Sequence, residues 1–410
     1  MKRIILGLVM SLLTLPTSAR EAEKQQDPQK ITIGEKFSLA SEVLGEERAY
    51  WVYLPASYHD STYAPQRYPV LYLLDGDAHF HSASGVVQFM STGINGNRQI
   101  PELILVAVPN THRTRDLTPT QTNVGFDGKE DPFLEASGGG DKFLQFLREE
   151  LFSEIESTYR TLPYRILVGH SFGGLLTLHA LLDAPEMFQS YIAMDPSLWW
   201  DDQVLVQRAE SRVKSARKPS GSAYISLVKA PDLGSLGDGT LLEKATRAFT
   251  KSLESAASPS FRSTLGYFEA EDHSSVPLLS LYHGLLYIFE GYKPSYTEFL
   301  EKPSTLSAHF ERVSERLGLV LRPPEAFVDQ LGYLLLYQIQ DTDKAIELFK
   351  LNVSNYPASF NAYSSLGEAY KVQGENPSAV ASYEKSLELN PANEKAKKQL
   401  ETLRTQDEQK

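Results

Sequence analysis

The chain contains no cysteine. That absence excludes disulfides, a thiol nucleophile, thiolate metal sites and a lipid-modified cysteine near the N-terminus. A basic excess is also missing. Lys and Arg number 40 against 52 Asp and Glu, for a formal net charge of −12. A surface of that sign offers no general attraction to nucleic acid or anionic lipid, so neither is expected as a partner. Past the first 20 residues no stretch is long and apolar enough to cross a bilayer. A cysteine-free chain of 410 residues must be held by its core.

What is present begins with a targeting pattern. Met1-Lys2-Arg3 is basic, Ile4 to Leu15 is almost wholly apolar, and Thr17-Ser18-Ala19 supplies small residues at the expected cleavage point. Residues 1–19 read as a secretory signal peptide, too short to span a membrane, which sends the protein to the periplasm or beyond. Residues 20–30 are polar and read as a flexible leader.

From residue 31 apolar runs alternate with helical patterns. Residues 31–39 and 48–54, joined around Gly45, predict an antiparallel hairpin at a sheet edge. The continuous apolar runs 68–74 and 103–108 predict central strands covered on both faces. A helix is expected over 140–159, then strands at 165–168, 190–194, 223–228 and 263–268, with a helix over 241–255. Strands alternating with helices imply a doubly wound, mostly parallel α/β sheet over residues 31–295.

After a connecting segment, 296–323, only helical patterns remain. Within 324–405 there is a repeat of 34 residues: Ala345 pairs with Ala379, Phe349 with Tyr383 and Pro357 with Pro391. The second copy matches the tetratricopeptide pattern, whereas Gly332 of the first lies one residue out of phase. Two repeats and a capping helix fall short of the roughly three that support themselves, so the tail should lean on the α/β domain. A structural brace and a surface for a protein partner both remain open.

The chain is organised around Gly-His-Ser-Phe-Gly-Gly at 169–174. A strand precedes it and the apolar segment 175–182 follows as a buried helix. Strand, sharp turn and helix with a serine at the apex is the setting of a nucleophile elbow. Ser171 is the expected nucleophile, and Gly169 and Gly173 leave room for strand and helix to approach.

A serine hydroxyl needs a base. Of nine histidines, His273 alone lies on a loop directly after the last strand, where that base belongs, while His170 is expected to point into the fold. Asp232 is chosen as the acid that orients it, with Asp238, Glu243 and Asp195 as competitors and an acid-free dyad as a further option. The oxyanion hole needs two backbone N–H groups, expected from Phe172 and from Asp77 or Gly76. Trp199 and Trp200 are candidates for a pocket wall or for core packing. Arg113 and Arg115 are candidates for binding a carboxylate or phenolate on the substrate, with Arg115 alternatively pairing with Asp116 or a neighbour to hold the loop. Asp75, Asp77, His79 and His81 lie close in sequence but are not assigned to a metal, since serine chemistry calls for no metal or cofactor.

These stretches resemble the esterase-D-like branch of the α/β-hydrolases. The resemblance rests on Leu73-Leu74-Asp75-Gly76, Arg113 to Pro119, Gly169 to Gly174, Asp195 to Trp200 and Asp272-His273. Arg-Asp-Leu-Thr-Pro and Pro-Ser-Leu-Trp-Trp are most similar to the enterochelin and siderophore esterases of that branch. The resemblance covers roughly residues 31–292 and leaves out the helical tail. It implies ester hydrolysis with Ser171 as nucleophile, His273 as base and oxyanion amides after Asp75-Gly76 and after Ser171. Siderophore-type, aryl or acyl esters are the implied substrates. The rival readings are an acyltransferase on the same site, or a catalytically silent platform for the tail.

Overall fold

A computed structural model describes residues 30–92, 97–212, 221–229, 240–256 and 261–408. The signal-peptide segment, residues 20–29 of the leader, Asp232 and Asp238 lie outside these described residues. Strands β1 (Glu35–Ser41), β2 (Glu46–Tyr53), β3 (Tyr68–Leu74), β4 (Ile104–Val108), β5 (Thr161–His170), β6 (Ser190–Met194), β7 (Gly221–Val228) and β8 (Phe261–Phe268) form one sheet. Its order is β1-β2-β4-β3-β5-β6-β7-β8. β1 and β2 make the expected antiparallel hairpin at the edge, turning at Gly45 with φ 72°, and the other strands run parallel.

β3 is buried along its whole length. Its alternate residues feed two cores, Val70, Tyr72 and Leu74 on one face and Leu71 and Leu73 on the other. That is the signature of a strand with helices on both sides. The first face is covered by α3 (Gly140–Phe146), a π turn (Leu147–Leu151), α4 (Phe152–Thr158) and α5 (Phe172–Asp183). α6 (Trp200–Arg212) and α7 (Thr240–Ala256) complete it. α1 (Gly76–Ser91) and α8 (Val276–Ile288) cover the second. Two of these helices, α1 and α6, and the short α2 (Arg113–Leu117) were not expected from the sequence. α1 carries Ser, Gly and three polar rings or acids in its first three turns, so its apolar spacing is weak.

Arg48 on β2 is 1% exposed and pairs with the buried Asp116 of α2 at 2.6 Å. Its guanidinium also lies over the rings of Phe143 and Phe146. The edge hairpin is thereby tied to the elements that flank the carboxyl ends of the strands.

The all-helical tail begins with α9 (Tyr296–Glu301) and α10 (Thr305–Leu317), which fill the connecting segment. α11 (Glu325–Tyr333), α12 (Thr342–Asn355), α13 (Phe360–Gln373), α14 (Asn376–Leu389) and α15 (Glu394–Glu408) follow. The phase slip at Gly332 has a structural cause. A π turn, Leu334–Ile339, absorbs one extra residue between Gly332 and α12. Both glycines do the same work: a Cβ on Gly332 would strike the Phe349 ring, and one on Gly367 would press on Tyr383. Phe299, Phe310, Phe327 and Leu331 of this region share one core with Leu71, Ile166 and Leu285 of the sheet and α8. Ile33–Lys410 packs as a single unit.

Candidate active site

Three carboxyl ends of adjacent parallel strands carry non-glycine residues at positive φ. They are Asp75 after β3 (53°), Ser171 after β5 (59°) and Asp195 after β6 (42°). Side chains rarely hold such angles, and each costs about 1–3 kcal/mol unless the surroundings impose it. Three in a row mark where the sheet has been shaped for something other than stability.

At the elbow, Ser171 has φ 59° and ψ −114° and caps α5. Its N–H donates to the Met194 carbonyl at 3.0 Å, and its own carbonyl accepts from Ser197 N–H at 3.1 Å. The turn is thus pinned to the end of β6. A Cβ on Gly169 would collide with the Gly173 carbonyl, so strand and helix cross where only hydrogen fits. Ser171 Oγ lies 3.1 Å from Ser197 Oγ. No hydrogen bond joins it to His273 among the described residues.

His273 stands on the loop after β8 with its side chain 47% exposed. Its Nδ1 is 2.6 Å from Asp195 Oδ2. Asp195 is 1% exposed, and a buried carboxylate demands partners. Oδ1 accepts from Val228 N–H at 3.2 Å, and the Asp195 N–H donates to Ser226 Oγ, which in turn accepts from Ser280 Oγ. The carboxylate that stands beside His273 Nδ1 is Asp195, one of the named competitors, while Asp232 lies outside the described residues. Register explains it, because His170 pairs with Met194 in the parallel ladder and so brings the next residues, Ser171 and Asp195, side by side.

Asp77 and Phe172 each lie in the first turn of a helix, α1 and α5, whose leading N–H groups have no intrahelical acceptor. The Asp75 carbonyl accepts from the amides of Ala78 and His79. The two turns are in contact, since a Cβ on Gly173 would lie 3.1 Å from Asp75 Oδ2. Arg113 fastens them. Its Nε and Nη2 donate to the two Asp75 oxygens at 2.7 and 3.0 Å, and Nη2 also donates to the His170 carbonyl at 3.2 Å. Asn110 Nδ2 donates to Asp75 and to Asp77.

Both expected anion-binding arginines are thus already engaged. Arg115 is turned to Glu46 and Asp116, and the guanidinium holds the Glu46 carboxyl down at about 2. The two tryptophans part company. Trp200 is fully buried and donates from Nε1 to Thr120 Oγ1, a core role that corrects the pocket-wall expectation for it. Trp199 is half-buried and meets Phe126 edge-on at 5.6 Å and Phe172 at 6.1 Å. Beside Arg113 a recess of about 680 Å³ opens between residues 111–114 and Pro132, Phe133, Glu135 and Ala136. No group of His, Asp and Glu poised for a metal occurs among the described residues.

The sequence reading missed the parts of Arg113, Asn110 and Ser197. Arg113 and Asp75 had a signal, as an arginine and a buried-turn acid at the ends of neighbouring parallel strands. Ser197 had a signal only as part of the Pro196–Trp200 stretch, and nothing there pointed to its contact with Ser171.

With this geometry in place, the relatives can be compared. A family model described as "Putative esterase" matches residues 41–258. The chain belongs to that family. It is an ester-hydrolysing enzyme. Ferri-bacillibactin esterase BesA of Bacillus subtilis is 30% identical over 242 residues, covering 56% of this esterase and 81% of its relative. A siderophore triacetylfusarinine C esterase of Aspergillus fumigatus is 27% identical over 208 residues, 46% of this chain and 64% of that one. The crystal structure of an IroE-like serine hydrolase from Shewanella oneidensis superposes with a TM-score of 0.68 at 30% identity, covering 78% of this chain and 98% of its own. No helix among the described residues is long and apolar enough to cross a membrane.

Proposed function

We propose that the protein is an exported serine esterase that acts through an acyl-enzyme on Ser171. His273 takes the hydroxyl proton and gives it to the leaving alcohol, then takes a proton from the attacking water and returns it to Ser171 Oγ as the acyl group leaves. Asp195 holds the imidazole by Nδ1 and stabilises the charge that develops on it. The Phe172 and Asp77 amides receive the oxyanion from two helix N-termini, where the partial positive charge favours it. The observation that carries this reading is the buried Asp195 carboxylate 2.6 Å from His273 Nδ1, beside the strained turn at Ser171.

Ser171 Oγ lies 3.1 Å from Ser197 Oγ, and this reading requires rotation about its Cα–Cβ bond to carry it to His273. Catalytic hydrogen bonds commonly tighten only when substrate is bound. Hydrolysis rather than transfer to another acceptor is supported by the esterase family and its named relatives. The substrate reading is a siderophore-type ester. It rests on the named activities of the relatives, with Trp199, Phe126 and Phe172 supplying an aromatic rim. The helical tail is read as tetratricopeptide-like and as a brace for the enzyme. Export rests on the pattern of residues 1–19.

A fluorophosphonate probe tests the chemistry, since it labels only an activated serine. Labelling should occur at Ser171, should vanish in Ser171→Ala, and should fall sharply in His273→Ala. A purified Ser171→Ala protein that keeps most of its turnover on a p-nitrophenyl ester would end this assignment. Release of monomers from a catecholate trilactone, compared with the p-nitrophenyl ester, tests the substrate.

A further inference from the structure

Three imidazoles stand in a row at the elbow. His79 of α1 meets His170 edge-on, with ring centroids 5.9 Å apart and an interplanar angle of 85°. His170 in turn lies tilted against His273 at 4.5 Å and 41°. His170 Nε2 is buried and has no hydrogen-bond partner. The ring's remaining polar contact is to the His273 backbone, so its face and its edge both meet the residue that carries the base.

The face matters because of how His273 is held. It sits on an exposed loop, and its Asp195 bond fixes one nitrogen. A single bond at Nδ1 sets where that nitrogen lies but leaves the ring able to turn about it, sweeping Nε2 through an arc. A second ring packed on one face removes that freedom. We propose that His170 is a positioning residue, whose ring, backed by His79, sets the plane of the His273 imidazole so that Nε2 faces Ser171. The inference rests on the reading of His273 as the base.

Charge fits the role. Burial above all, then the neighbouring His273 and His79 rings, depress the His170 imidazole to about 4, against the His273 carbonyl and the Asp195 carboxylate. Burial likewise lowers His79, outweighing Asp75 and Asp77 of its own helix while Arg113 adds to the lowering. Charged groups facing the row include Asp195 from the end of β6, Arg113 from α2, Asp75 and Asp77 at the start of α1, and Asp272 beside His273. His170 therefore adds no second positive charge beside the imidazolium that forms on His273 during turnover.

The test is steady-state kinetics on a p-nitrophenyl ester with His170→Ala, His170→Phe and His273→Ala, each checked for fold by near-UV circular dichroism. His170→Ala should lower kcat by about tenfold to a hundredfold, the scale of a small misplacement of a reacting group, with KM within about twofold. His170→Phe, which keeps a ring, should recover most of that loss. If the alanine variant does not fold, His170→Gln replaces it as the variant without a ring. Wild-type kcat in a ringless variant, or a folded Phe variant as impaired as the ringless one, would overturn the inference. His273→Ala separates the two levels. Activity retained there removes the base reading itself, whereas an inactive His273→Ala beside a fully active ringless variant removes only the role of His170.

Discussion

Asp195 Oδ2 and His273 Nδ1 lie 2.6 Å apart although 78 residues separate them in sequence. The contact exists because β6 and β8 flank β7 in one parallel sheet and both present their carboxyl ends to the same side. If the carboxylate steadies an imidazolium during turnover, its charge matters as well as its shape. Asp195→Asn keeps the shape. It should lower kcat by about three to four orders of magnitude with little change in KM. Steady-state kinetics on a p-nitrophenyl ester would measure it, and a loss under tenfold would mean that serine and histidine suffice without the acid. Asp232→Ala should stay within about threefold of wild type, because Asp195 already fills the position beside His273 Nδ1.

Arg113 holds the turn at Asp75 to the His170 carbonyl through one guanidinium. The Asp75 side chain is 5% exposed and that of Arg113 36%. Removing the arginine leaves a nearly buried carboxylate with only Asn110 Nδ2 as side-chain donor. Arg113→Met should therefore loosen the Asp77 amide relative to Phe172, lowering kcat by about tenfold to a thousandfold, the range for losing one oxyanion donor. Asp77→Ala supplies the contrast. It keeps the amide and deletes only the contacts of the carboxylate with Asn110, so activity should fall by less than in Arg113→Met. The reverse order would show that the Asp77 side chain, rather than its N–H, serves the reaction.

How far the sequence reached can be seen from which residues needed pairing information. Strand existence and order of elements follow from apolar runs, and 68–74 and 190–194 were read to the residue. The places of Ser171 and His273 in the fold are legible because each belongs to a local pattern, a strand-to-helix turn and a loop after the last strand. The carboxylate that meets His273 is not, since Asp195 and Asp232 both follow strands in the sequence and only the β6-β7-β8 order shows that Asp195 reaches Nδ1. The same limit hid α1, whose polar first turns are explained by the site it faces. Arg48 was invisible for the opposite reason: a lone arginine in an edge strand reads as solvated, and its buried pairing with Asp116 is purely tertiary.

His179 gives the enzyme a pH-dependent component of stability away from the site. It is 1% exposed on α5, with Nε2 2.7 Å from Asp141 and Nδ1 3.1 Å from Asp183. Burial pulls its pKa down, but the hydrogen bonds to Asp141 and Asp183 outweigh this and the net shift is upward. The Asp141 carboxyl moves down, chiefly through the same bond. A raised histidine stabilises fully below its unfolded value of about 6.5 and loses that contribution as pH climbs through the folded value. The lowered aspartate contributes above its unfolded value of about 3.9 and loses its share as pH falls through the folded one. The pair is therefore worth most between those limits. Thermal melts should show wild type more stable than Asp141→Asn near pH 5.5 to 6, with the gap narrowing towards pH 9. A gap that widens with pH would mean that His179 is neutral in the native protein.

The tail poses the remaining question, and its core answers in a testable way. Phe327 is fully buried, with Arg98 of the α/β part 4.8 Å over its ring and Tyr296 and Phe299 against its edges. The backbone N–H of Ala64 donates to Glu325 Oε2 at 2.7 Å, a further bond between the two parts. If the tail is a brace, its packing is part of one cooperative unit and cannot melt alone. Phe327→Ala should then cost about 3–5 kcal/mol and lower the single unfolding transition of the whole enzyme, activity included. Deleting residues 303–410 should uncover Phe299, Phe289 and Tyr292, which now share one core with Leu306, Phe310 and Phe327, and should leave an aggregating protein. A tail that only serves a partner would behave otherwise. Calorimetry would show two separate transitions in Phe327→Ala, and the truncated enzyme would stay soluble and fully active.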